Sequence, residues 1–271
     1  MKDFQDKAQR NRARVVAADV AKVRKNRDRR RFTLNNVPNG TSRILTSPEQ
    51  EGTIFPNRCA VPNEDDQVLK DGRWNSKIGG DVLVGHLKGA VIYTLTLEER
   101  ATCPRSCEHW RSCYGNNMSR STRWTAGPEL EAALVREVDT LCGRWQTVLI
   151  RLHVLGDFYS PEYVGLWHVL MERHANLWCF GFTAHAPNTQ IGQLLAAMRL
   201  SHGQRWSVRH SGQSGAWGSF TVDFPTLKKR IGGGVVCPEQ HDAMNGGPQS
   251  RHCGNCAVCW SCDDAIVFVE H

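Results

Sequence analysis

From residue 90 onward the chain alternates short apolar runs with longer stretches whose apolar positions recur at helical spacing. Ala90–Leu97 (AVIYTLTL), Thr147–Val154 (TVLIRLHV), Leu177–His185 (LWCFGFTAH) and Arg205–His210 (RWSVRH) read as strands, with Gly234–Val236 and Ala265–Val269 as two more. Between them, Leu130, Leu134, Val138 and Leu141 mark a helix over Pro128–Cys142, and Gln190–Leu200 marks another. Ser160-Pro161-Glu162 opens a third helix, with serine as cap, proline at the first helical position and an early acid. Strands separated by helices of this length predict an α/β fold with a parallel sheet. The sheet is either an open α/β layer or a partial (β/α)6, TIM-like barrel, since about six strands fall short of the eight of a closed one.

The rest of the chain has a different grain. Residues 32–89 are dense in turn signals such as Pro38-Asn39-Gly40 and Pro62-Asn63, and predict a loop-rich lead-in. Residues 1–31 predict a basic helical arm, in which Val15, Val16, Val20 and Val23 sit among alanines without Gly or Pro. The expected division is thus an arm (1–31), a lead-in (32–89), an α/β core (90–236) and a cysteine-rich segment with the last strand (237–271).

Charge sharpens that division. The arm holds twelve Lys/Arg against four Asp, while the other 240 residues hold 22 basic and 23 acidic side chains. Its end, with Arg24, Lys25, Arg27, Arg29, Arg30 and Arg31, suits a phosphate backbone, so nucleic acid is the expected partner. A solvated tail that only aids solubility is the simpler alternative. No run approaches the ~18 apolar residues of a membrane span, and the beginning has no apolar signal core. A cytoplasmic protein is expected.

Eleven cysteines in such a chain favour metal over disulfides, and an odd count leaves one thiol over in any disulfide scheme. Cys103, Cys107 and Cys113 form C-x3-C-x5-C just past the first strand. Three thiolates on a short loop can hold a four-iron cluster with one iron open. A zinc site completed by His109 is the alternative. The second group, Cys237 followed by Cys253, Cys256 and Cys259, suits zinc or a second iron–sulfur cluster, with Cys262 or His271 as substitutes. Cys142 and Cys179 read as small core hydrophobes.

In parallel α/β folds, ligands sit at the C-terminal strand ends. Strand parity places Arg151 with His153, Thr183 with His185, and Ser207 with Arg209 near those ends, and Gly156-Asp157 follows the second strand. A polar pocket is expected there, with His153, His185, Arg151, Arg209 and Asp157 as candidate catalytic groups. Asp157 would be the carboxylate: an amine anchor, a general base, or only a turn residue.

A strand, a three-cysteine loop ending Cys113-Tyr114, a helix, and a strand ending Gly156-Asp157 resemble the opening of a radical S-adenosylmethionine enzyme. The resemblance implies that Cys103, Cys107 and Cys113 bind a 4Fe-4S cluster, and that Gly156, Asp157 and the aromatic Tyr114 contact S-adenosylmethionine. The spacing departs from that superfamily's C-x3-C-x2-C, and Gly-Asp-Phe replaces its glycines and glutamate. More closely, CPRSC…CYG, HVLGDFYSPEY…W, FGFTAH and C..C..CW…FVEH over roughly 90–271 are similar to the tailed-phage gene-product-eighty-eight family. That similarity implies a phage origin, a host-cytoplasmic setting and no established activity.

Three functions are therefore weighed. The first is a radical S-adenosylmethionine-type enzyme acting on nucleic acid or a nucleotide-derived substrate, with DNA modification as one form. The second is a zinc-containing guanine transglycosylase with Asp157 as nucleophile, although this tail lacks that family's C-x-C-x2-C…H zinc pattern. The third is a non-catalytic, zinc-stabilised nucleic-acid-binding protein.

Overall fold

The computed structural model describes residues 44–222, 230–231, 233–244 and 251–269. The basic arm 1–31 and His271 lie outside the described residues.

The fold is mixed α/β around a nine-stranded, mostly parallel sheet. Its strands are β2 (Lys70–Asp71), β3 (Val91–Thr94), β5 (Val148–Leu152), β6 (Leu177–Thr183), β7 (Trp206–Ser211), β8 (Gly218–Val222), β9 (Arg230–Ile231), β10 (Gly234–Val236) and β11 (Ile266–Val269). Their spatial order is β2-β3-β5-β6-β7-β8-β11-β10-β9. Only the two edge strands, β2 and β9, run antiparallel. A separate parallel pair joins β1 (Cys59–Ala60) to β4 (Arg123–Trp124). Among the described residues no pairing joins the two sheet edges, so no closed barrel is formed.

Three helices supply the crossovers: α1 (Pro128–Arg144), α2 (Pro161–Arg173) and α3 (Gln190–His202). Ser160 caps α2 as its sequence predicts, accepting from the Tyr163 N–H. Strand parity then sorts two cores. Val148, Ile150, Leu152, Cys179, Trp206 and Val208 face the helices and pack on Leu134, Val138, Trp167 and Leu170. Cys142 and Cys179 belong to this core, as expected of small apolar thiols.

The opposite face carries Ile92, Leu149 and Phe180, covered by Ile78, Val82 and Leu87 of the lead-in and by Ala257 and Trp260 of the cysteine-rich segment. Those two coverings also bond to each other: Cys253 and Gly254 donate to Lys77 and Ile78 carbonyls, and Leu83 donates to Gly254. Lead-in and tail thus form one lid over the sheet.

Two sequence expectations change. The parallel strands number seven, because Gly218–Val222 adds one to the six expected; the last strand, Ile266–Val269, lies between β8 and β10. Finally, β5 ends at Leu152, so His153 leaves the face of Arg151 and turns to Phe158 and Tyr163. No helix among the described residues is long and apolar enough to cross a membrane.

Gly181 is required where β6 passes β5, since a Cβ there would overlap the Leu152 carbonyl. Gly181→Ala is expected to cost about 3 kcal/mol, read as a lower urea midpoint with unchanged slope.

Candidate metal centres

The C-terminal strand ends are laced together by short polar bonds. The Asp157 N–H donates to Thr102 Oγ1 (3.1 Å), joining the β5 exit to the segment after β3. Asp157 Oδ1 accepts from Phe158 N–H (2.8 Å) and Oδ2 from Ala184 N–H (2.6 Å), joining β5 to β6. His185 Nε2 lies 2.7 Å from the Phe158 carbonyl, and His210 Nδ1 lies 3.0 Å from the His185 carbonyl, adding β7. Four consecutive exits are therefore fixed relative to one another.

Cys103, Cys107 and Cys113 sit on the loop that spans this end. The loop reaches β8, where His109 Nε2 meets Thr221 Oγ1 at 3.3 Å. Below the loop lies a buried charge frame. Glu99 and Arg123 are both fully enclosed and pair through two bonds of 2.6 and 3.1 Å. Arg123 also donates to the carbonyls of Gly115, Met118 and Ser121, while Thr53 donates to Glu99. Arg100, at a left-handed φ of 67°, donates to Asn116 Oδ1 and to the Trp110 carbonyl. Both ends of the cysteine loop are thereby tied to buried guanidinium groups, a support that sequence reading missed.

Burial pushes all three thiols up, Cys107 to about 11 and Cys103 further; Asp157 and sister thiols add repulsion at Cys103 and Cys107, while at Cys113 Glu99 adds to it and Arg100 and Arg123 oppose it. Three thiols on one loop at a strand exit are a donor set that a metal centre could use.

The other candidates divide. Asp157 is 3% exposed and burial raises its pKa, opposed by the N–H groups it accepts and by His185. Gly156 has φ 81°, and a Cβ would lie 2.5 Å from Thr102 Oγ1 and 2.6 Å from Leu97, so packing explains this glycine. Tyr114 is 52% exposed, within electrostatic reach of Arg151. Arg151 stacks on Phe180 and Phe182 on the lid face, where its charge also reaches Cys253 and Cys259.

Two expected members of the pocket are elsewhere. His153 is a core group: Nε2 meets Tyr163 Oη at 3.0 Å, and burial, then Arg151, lowers its pKa to about 3. Arg209 is wholly buried and donates to the carbonyls of Cys259, Asp264 and Cys262, so it anchors the tail.

That tail builds the second centre. Cys237 precedes α4 (Pro238–Met244), Cys253 and Cys256 bracket α5 (Cys253–Cys256), and Cys259 lies in α6 (Val258–Ser261). The four line one cavity of about 20 Å3 with Glu239 and His252. Burial raises each of the four thiols; Cys253 also feels Cys259, Cys237 and Cys256, and Cys259 feels Cys237 and Cys256. Cys262 falls outside, grouped with Asp263 and Asp264. All eleven cysteines are free thiols. Glu239 and His252, which also line the cavity, gave no spacing signal in the sequence.

No protein-family model, characterised protein or solved structure matches this chain.

Two outcomes follow from this geometry. Arg123→Ala strands the Glu99 carboxylate and is expected to cost about 3–5 kcal/mol, whereas Glu99→Leu with Arg123→Met loses less; chemical denaturation distinguishes them. His153 stays neutral when folded but gains a proton near 6.5 when unfolded. Stability is therefore lost as pH falls below 6.5 toward 3, by about 2.7 kcal/mol at pH 4.5. His153→Gln is expected to flatten that loss in urea midpoints measured from pH 7 to 4.5.

Proposed function

We propose that this chain is a metalloenzyme of the radical S-adenosylmethionine type, with its reactive centre at Cys103, Cys107 and Cys113 and a structural metal at Cys237, Cys253, Cys256 and Cys259. The observation that carries the reading is the three-thiol loop lying over Asp157 at the laced strand exits. The consecutive order β3-β5-β6-β7-β8 supports the partial (β/α)6 barrel that such an enzyme would use.

When bound, a four-iron cluster with one open iron would supply an electron to the sulfonium of S-adenosylmethionine. The chain's own residues would do the rest. Asp157 is a buried carboxylate beside Cys103 and Cys107, so the mouth favours a cationic ligand group such as an amine. The Asp157 bonds to Phe158 and Ala184 hold that carboxylate still. Tyr114 feels Cys113 and Cys103 from the same space, and the charge of Arg151 reaches both Tyr114 and Cys253. The twelve basic residues of segment 1–31 support nucleic acid as the substrate that is held.

The transglycosylase reading is weaker, because an Asp157 that accepts two backbone N–H groups in a buried turn is poorly placed as a nucleophile.

Protein purified without oxygen is expected to show broad visible absorption that dithionite bleaches and that Cys103→Ala/Cys107→Ala/Cys113→Ala removes. Asp157→Asn is expected to keep the colour and weaken S-adenosylmethionine binding at least tenfold. A colourless protein carrying only zinc, even after anaerobic iron and sulfide loading, overturns the proposal.

A further inference from the structure

A third group of metal-type side chains lies on the helical side of the sheet, away from both cysteine centres. His168 and Glu172 are one turn apart on α2 and therefore share a face. His202 ends α3, the neighbouring helix, with its side chain wholly enclosed. One donor atom from each of the three lies within 4.8 Å of the other two.

The finer spacing suits two ligands of one ion as well as the hydrogen bond the two rings make. His168 Nδ1 and His202 Nε2 are 2.9 Å apart. Two imidazole nitrogens bonded at about 2.05 Å to one ion stand about 2.9 Å apart at right angles and about 3.4 Å apart in a tetrahedron. The remaining nitrogen of His202, Nδ1, lies 3.5 Å from Glu172 Oε1. Arg205, held by the carbonyls of Met171, His174 and Leu177, places NH2 3.4 Å from the same Nδ1.

We propose that His168, Glu172 and His202 form a peripheral binding site for a borderline divalent metal ion of the zinc, nickel or copper type, clamping α2 to α3. Two imidazoles and a carboxylate match that class and mismatch calcium or magnesium, which prefer all-oxygen shells. The side chain of Glu172 is 62% exposed, so the open coordination positions face solvent and water completes the shell. In the metal-free form the same two histidines share one proton between Nδ1 and Nε2. Binding moves that proton to the other nitrogen of the same ring, so nitrogen–metal bonds replace one hydrogen bond. The site is independent of the cysteine centres and of the function assigned to them.

Cobalt(II) separates this site from the others, because thiolate-bound cobalt absorbs strongly in the near ultraviolet and imidazole-bound cobalt does not. Titration of the full chain is expected to reveal one equivalent that adds no thiolate charge-transfer band. That equivalent is expected to weaken at least tenfold in His168→Ala and in Glu172→Gln, while the thiolate bands stay unchanged. It is also expected to shift the His168 and His202 imidazole proton resonances. Wild-type stoichiometry and affinity in both variants overturn the proposal, as does saturation by thiolate-type sites alone. Both substitutions begin at the edge of the helix pair, and circular dichroism confirms that the variants compared are folded.

Discussion

The buried Glu99–Arg123 pair is the constraint on which the cysteine loop depends. Removing two charges from water is expensive, and the pair recovers that cost only because its geometry is bidentate and its spare donors are used. Arg123 uses them on the Gly115, Met118 and Ser121 carbonyls, which follow Cys113 directly. Arg100 does the same at Trp110 and Asn116. A loop with C-x3-C-x5-C spacing has almost no apolar side chains with which to hold its own shape. It is shaped instead by two guanidinium groups fixed beneath it, and any metal bound there inherits that rigidity.

The same logic explains why both faces of the sheet are covered. A parallel sheet buried on each side needs an apolar layer above and below. Three crossover helices provide one layer, and neither remaining segment is large enough to provide the other alone. The lead-in brings Ile78, Val82 and Leu87, and the tail brings Ala257 and Trp260. Their backbones bond to each other at Lys77, Ile78 and Leu83. The cysteine-rich tail is therefore part of the core covering, with Arg209 reaching out of β7 to hold three of its carbonyls. A metal at Cys237, Cys253, Cys256 and Cys259 would tie that covering to the end of β10.

How much of this was legible depends on what each residue's identity encodes. Alternation in TVLIRLHV and helical spacing in Pro128–Cys142 report burial directly, so β5 and α1 were readable to within two residues at each end. The Ser160 cap was readable because its chemistry is local. Gly218–Val222 was not, because its pairing with β7 and β11 is set by distant chain and its flanking glycines imitate a loop. The cysteine groups were visible as spacing, and the four that share a cavity are those that spacing favours. Glu99, Arg100 and Arg123 were invisible, since a buried charge looks like a surface charge until its partner is known. His153 failed for a related reason: parity holds only while the strand lasts, and β5 stops one residue earlier.

The two cysteine centres also differ in the charge that surrounds them, and this difference separates their roles. Buried thiols remain protonated, so both centres can be enclosed without metal and must release protons as metal enters. Four thiolates around one divalent ion would carry two surplus negative charges; Arg209 and Arg151 near Cys259 offset them, while Glu239 beside Cys237 adds to them. At the first centre the largest charge effect on Cys103 is that of another anion, Asp157. Loading it with three thiolates would leave negative charge in a desolvated space where each charge acts strongly. A cationic small molecule bound beside Asp157 would relieve that charge, so the electrostatics favour the loop, not the tail, as the place where a ligand binds.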